Sequence, residues 1–181
     1  MAIDPQITAI ASATGAAIFA GSAAMKLAAP PEFQAAVESY RIVPASMAPA
    51  VSWMLPVLEI AGALGLFVPA SRFAAAALLL ALLAIFTLAI AINLARGRRD
   101  LDCGCFGAML RQRVSGWLVA RNAALAILLV AALLPAGARP LDALDYTTIV
   151  PAAVSLVMLY AAANYLLANA PASDALRIGD A

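Results

Sequence analysis

Residues 73–95, FAAAALLLALLAIFTLAIAINLA, carry no charged side chain. At about 1.5 Å of rise per residue, a helix of this length crosses the roughly 30 Å hydrocarbon core of a bilayer. Thr87 and Asn93 are too few to give it a polar face. In lipid every backbone N–H and C=O must be satisfied internally, so the stretch predicts a transmembrane helix. The fold class follows from it.

Working outward, comparable runs occupy residues 6–29, 50–70, 116–134 and 146–170. The expectation is an all-α polytopic membrane helical bundle, a single integral membrane domain over residues 1–181. Composition agrees: 65% of residues are hydrophobic and 12% charged, with a mean hydropathy of +0.97. Such a chain cannot present an ordinary water-compatible surface. The start contains no Lys or Arg before the first run, so that run reads as a retained helix rather than a secretory signal.

Breakers and caps separate the runs. Pro30-Pro31 ends the first, Pro69 with Ser71-Arg72 parts the second from the third, and Pro135 with Gly137 ends the fourth; Ser115 and Asp145 are placed to cap the fourth and fifth. The pairs Ala11/Gly15, Ala17/Gly21 and Ala61/Gly65 have the small-residue spacing that lets membrane helices approach closely. Between the first two runs, Phe33, Val37 and Tyr40 fall at i, i+4 and i+7. That spacing predicts a short amphipathic helix in the interface, a connector or a lid over the segment 96–115 on the same side.

Several chemistries are excluded. There is no histidine, which removes imidazole acid–base catalysis, Ser-His-Asp triads and His-ligated metals. A net charge of +1 with arginines beside membrane spans gives no nucleic-acid footprint. Within the spans, Glu59, Arg121 and Lys26 are ionisable, and Asn122 and Asn93 are polar. An isolated charge at the helix centre costs about 2.5–3.5 kcal/mol on insertion scales, so these groups should face the bundle interior and one another. Counting along the helices, Arg121 is placed to reach toward Glu59, while Lys26, near a helix end, is placed to snorkel to the interface.

Both cysteines lie in Asp102-Cys103-Gly104-Cys105-Phe106-Gly107. Glycine tolerates the dihedrals a tight Cys-Gly-Cys closure demands, and a disulfide strained in this way is readily reduced. Arg96, Arg98, Arg99, Arg111 and Arg113 around it favour thiolate, whereas Asp100 and Asp102 oppose that effect. Two thiolates fall short of the four ligands usual for structural zinc, and a clip across one residue restrains little of the unfolded chain. Reversible thiol–disulfide exchange at Cys103 and Cys105 is the favoured reading. A structural clip and a metal shared between chains stay open beside it.

Gly21 with Met25-Lys26-Leu27, Phe33 through Tyr40-Arg41 to Pro44, Pro56 with Glu59 and Gly62, Arg96-Gly97 followed by the cysteine motif, and Arg121-Asn122 together resemble the methylamine-utilisation MauE family, related to DoxX-like membrane proteins. The resemblance runs from about residue 15 to 134, which makes a four-helix core plus a fifth transmembrane helix. It implies a protein of the bacterial cytoplasmic (inner) membrane that supports maturation of a disulfide-containing periplasmic client, the methylamine dehydrogenase light subunit, with a thioredoxin-like partner of the MauD type. On that basis Cys103 and Cys105 are the catalytic candidates. Asp102, Gly104, Phe106, Gly107, Lys26, Glu59, Arg121 and Asn122 support them or line a pocket behind them. No cofactor is fixed; a quinone is the candidate for that pocket. The other class of reading is a non-catalytic assembly factor.

Sidedness runs against that role. Lys26, Arg41, Arg96, Arg98, Arg99, Arg111, Arg113 and Arg177 fall on the cysteine side, and Arg72 and Arg139 opposite. The positive-inside rule therefore places the cysteines in the cytoplasm and the N-terminus outside.

Overall fold

The computed structural model describes residues 3–98, 101 and 114–178, with side chains through Leu166. Helix α1 spans Pro5–Ala28, α2 Pro30–Ser39, α3 Ala48–Gly65, α4 Arg72–Ala95, α5 Gly116–Leu133 and α6 Ala143–Ile178, with a 3₁₀ turn, Ala45–Met47, leading into α3. Five segments are long and apolar enough to cross a membrane: Pro5–Ala28, Ala45–Gly65, Arg72–Ala95, Gly116–Leu133 and Ala143–Leu166. The protein is an all-α, multi-pass membrane protein.

Helices α1, α3, α4 and α5 close a ring, each packing on two neighbours, and α6 adds to the outside of α1. The core between them contains Phe19, Leu55, Leu79, Leu83 and Leu129. Lipid supplies no hydrophobic drive for helix association, so close contact must come from shape. Gly62 provides it between α3 and α4, where a Cβ would lie 2.6 Å from Leu79 Cδ2, and Gly65 does the same against Ala75 Cβ at 2.8 Å. Gly15 likewise sits against Leu129. Gly21 differs from the expectation: among the described residues nothing lies within 4 Å of where its Cβ would be.

The end away from the cysteine segment is stapled. Ile3 N–H donates to Pro135 O at 3.0 Å and Gly137 N–H to Ile3 O at 2.8 Å. Asp4 caps α1 through Gln6 N–H at 2.8 Å, and Arg139 bridges it to Asp145. The Gln6 N–H and Arg139 hold the Asp4 carboxyl below its usual range, and the two carboxylates push the Arg139 guanidinium up. Asp145 is not itself the cap of the last helix. Asp142 accepts from Asp145 N–H, and Asp145 reaches back to Asp142 N–H, both at 3.0 Å, a reciprocal capping box begun three residues earlier. Ser115 occupies the N-cap of α5 without a side-chain capping bond.

At the opposite end, α4 stops in a Schellman motif. Gly97, at φ +73°, donates to Leu94 O, and Arg98 N–H donates to Asn93 O, both at 3.0 Å. This turns the chain out toward the cysteine segment. The amphipathic helix expected between the first two spans is α2; it buries Phe33, with Tyr40 just beyond its end also buried. It is fastened to α4: Arg98 donates to Ser39 O at 2.8 Å and to Asn93 Oδ1 at 3.1 Å. Asn93 in turn donates to Tyr40 O at 3.3 Å. Helix α6, at about 54 Å, is longer than the hydrocarbon core, so its last turns continue past the membrane.

Candidate functional site

Polar residues of five helices converge inside the bundle. Lys26 on α1 donates to Glu59 Oε1 on α3 at 2.5 Å, with 2% and 1% of their surfaces exposed. The ammonium also lies 4.5 Å from the ring centroid of Phe86 on α4 and 5.2 Å from that of Phe33 on α2. Removed from water, the cation is thus held by a carboxylate and two π-faces. Lys26 does not snorkel outward as expected; its stem runs inward because an opposite charge lies within reach there.

One helix away, Arg121 on α5 donates through Nε and Nη2 to Asn122 Oδ1 at 3.3 and 3.1 Å, and through Nη1 to Asn164 Oδ1 on α6 at 2.7 Å. Its guanidinium stands 5.7 Å from the Tyr160 ring centroid. Asn122 donates to Thr87 Oγ1 on α4 at 3.0 Å, and Thr87 donates to Leu83 O at 2.7 Å. The interior charges of the ring are therefore set into a network that also fixes helix register.

Lys26, Glu59, Arg121 and Asn122 line one cavity of about 30 Å³ together with Tyr160. These four expected site residues are brought together, and Lys26 makes a short bond to Glu59. At about 10–15 Å³ per water, this space holds two or three water molecules and no organic ring. A larger cavity lies next door: about 310 Å³ in volume, it shares Arg121, Leu125 and Tyr160 with the small one. Sequence reasoning missed Thr87, Tyr160 and Asn164. The signal for Asn164 was its amide inside an apolar span, which demands a partner in lipid.

Cys103, Cys105, Asp102, Gly104, Phe106 and Gly107 lie outside the described residues. The points where the chain leaves and returns are described. Val114 N–H donates to Leu101 O at 2.9 Å, and Leu101 packs on the cluster of Tyr40, Ile90, Val114 and Leu118. The base of the cysteine segment is thus anchored beside the C-terminal end of α2, at the bundle end where α4 finishes and α5 begins.

The methylamine utilisation protein MauE family model matches residues 4–135. The methylamine utilization protein MauE of Paracoccus versutus is 45% identical over 153 residues, 83% of this chain and 82% of that protein. Its namesake in Paracoccus denitrificans is 39% identical over the same shares, and that of Methylophilus methylotrophus 34% identical over 92% of this chain and 89% of its own length. No solved structure matches the chain. The ring of α1, α3, α4 and α5, with its buried Lys26, Glu59 and Arg121, falls within the matched residues, and on these grounds the chain belongs to the methylamine utilisation protein MauE family.

Proposed function

We propose that the protein is a membrane thiol–disulfide oxidoreductase for maturation of a periplasmic, disulfide-containing client in methylamine metabolism, acting through Cys103 and Cys105 with a thioredoxin-like partner of the MauD type. The observation that carries this reading is the anchored base of the cysteine segment, Leu101 to Val114, in a chain of the MauE family. An exchange centre must meet a second protein, and a segment fastened at one end of a helical ring is available to do so. The proposed setting is the bacterial inner membrane.

The exchange balances without a further reactant. A thiolate of the reduced pair attacks the partner's disulfide, forming a mixed disulfide and releasing one partner thiolate. The second cysteine then attacks the mixed disulfide and frees the other partner sulfur. Two electrons pass to the partner, and the pair ends as a disulfide; the reverse sequence runs the electrons back. Lys26, Glu59 and Arg121 hold the helices behind the segment in register and take no sulfur chemistry themselves.

Single Cys103→Ser and Cys105→Ser variants test the reading. One of them should accumulate a mixed disulfide with the thioredoxin-like partner, seen as a reducible adduct on non-reducing gels. If neither does, and the double variant still supports client maturation, the protein is an assembly factor whose cysteines form a clip.

A further inference from the structure

Helix α2 packs on α3 and is tied to the end of α4, and a groove of about 110 Å³ is left beneath it. Its walls are Phe33 and Val37 on α2, Val51 and Leu55 on α3, and Ile85 and Ala89 on α4, completed by Tyr40 and Ile42. None of the residues lining it is charged. Ile85, on a helix that spans the membrane, is 57% exposed, and Ile42 is 44% exposed, so the groove opens sideways into lipid. Ile85 stands about 16 Å along α4 from Arg96 at the helix end, roughly half of the 30 Å hydrocarbon core. An apolar groove of that depth has the reach of an acyl chain in one leaflet.

Three arginines gather at its interfacial end. Arg96 and Arg98, just past α4, donate to Arg41 O at 3.5 Å and to Ser39 O at 2.8 Å. Both guanidinia therefore lie against the stretch of chain that carries Tyr40 and Ile42 into the groove. Arg41 sits between those two lining residues and is exposed. Its side chain makes no hydrogen bond or ion pair among the described residues, and Arg96 spends a single N–H of its five on a long bond. None of the three is paired with a carboxylate among the described residues. The backbone at Arg41 is left-handed, φ +50°, a conformation that glycine or asparagine adopts at less cost. A long cation is thus kept there against the conformational preference of its own backbone.

We propose that the groove under α2 is a binding site for an anionic phospholipid, with an acyl chain lying between α2, α3 and α4 and the phosphate met by Arg41 and Arg96. Lipid is the solvent at the lateral opening, and unpaired positive charge at the interfacial end selects a negative headgroup over a zwitterionic one. Arg98 adds to that field, although its donors are already given to Ser39 and Asn93. Tyr40 and Ile90 line the groove and also belong to the cluster on which Leu101 packs, so the lipid sits under the base of the cysteine segment. The site does not depend on the exchange reaction at the cysteines.

Native mass spectrometry of the delipidated protein in neutral detergent reads the binding directly. Titration with dioleoylphosphatidylglycerol should give one saturable adduct, and dioleoylphosphatidylcholine should bind at least about fivefold more weakly. Arg41→Gly removes a guanidinium while relieving the backbone, so it should weaken phosphatidylglycerol binding about fivefold without lowering the melting temperature. Arg41→Lys should keep most of the binding. Ala36→Phe, which fills the groove from α2, should weaken both lipids. Equal affinity for the two lipids, or binding that Arg41→Gly and Ala36→Phe leave unaltered, overturns the proposal and reduces the adduct to ordinary surrounding lipid. Displacement of phosphatidylglycerol by a large excess of inorganic phosphate overturns it too, because the groove would then hold no chain.

Discussion

Lys26 and Glu59 show how a membrane interior treats charge. Removing one partner of a buried ion pair strands the other, at a cost of about 3–5 kcal/mol, whereas replacing both by apolar groups of similar size is often neutral. Glu59→Gln should accordingly lower the melting temperature in detergent sharply, and Lys26→Met with Glu59→Leu should recover most of that loss. Additive losses in the double variant would show that the two side chains act apart. The sequence already marks Lys26, Glu59, Arg121 and Asn122 as inward-facing, because charge in lipid leaves no other choice. It does not pair Lys26 with Glu59, and the count along the helices sends Lys26 to the interface instead, since depth along a helix is countable from sequence but rotation about its axis is not. At the stapled end Asp4 carries a pH dependence. Its carboxyl is held below the ordinary range by Gln6 N–H and Arg139, so its stabilising effect is present above the unfolded pKa and lost as pH falls through the folded one. The difference in melting temperature between the native protein and Asp4→Asn should vanish once the pH lies below the usual carboxylate range.

At the scale of elements, Gly97 ends α4 in the left-handed region with open space around its Cα. Substitution there meets no clash and pays only for backbone. Gly97→Ala should destabilise by about 1–2 kcal/mol, the left-handed penalty for an L-residue. Thermal unfolding checks this, and an unchanged melting temperature would mean that the turn is not needed to end the helix. The spans were legible from hydropathy alone, and their ends agree within a few residues, except at α3 and α6. Helix α3 stops at Gly65, five residues short of the expected 70, because the chain from Phe67 turns through hydrogen bonds to Leu64, Gly65 and Val68. Helix α6 starts three residues early because Asp142, not Asp145, satisfies its first turn. Small-residue spacing identified Gly15 and Gly65 as contact points but not the openness at Gly21, since a spacing pattern names a face without saying whether another helix covers it.

For the whole molecule, the question is which compartment the cysteine end faces. Among the described basic residues on that side, several have structural employment: Lys26 is buried in the bundle, Arg98 ties α2 to α4, and Arg96 donates to Arg41 O. The positive-inside count does not weigh such duties. The proposed exchange with a periplasmic partner expects an impermeant maleimide to label Cys103 and Cys105 in right-side-out cells after reduction. Labelling only in inverted vesicles would place the cysteines in the cytoplasm and remove that partner from the reading. The hydrogen bond from Val114 to Leu101 has one more consequence. The chain leaves and re-enters the bundle at adjacent points, so Leu101 and Val114 are fixed terminals for whatever cassette of sequence joins them. A cassette can be shortened, lengthened or exchanged with that of a relative while α4 and α5 keep their register, and doubling its length adds only about 0.6 kcal/mol of closure entropy. Variation between positions 101 and 114 can therefore accumulate while the bundle beneath it stays the same.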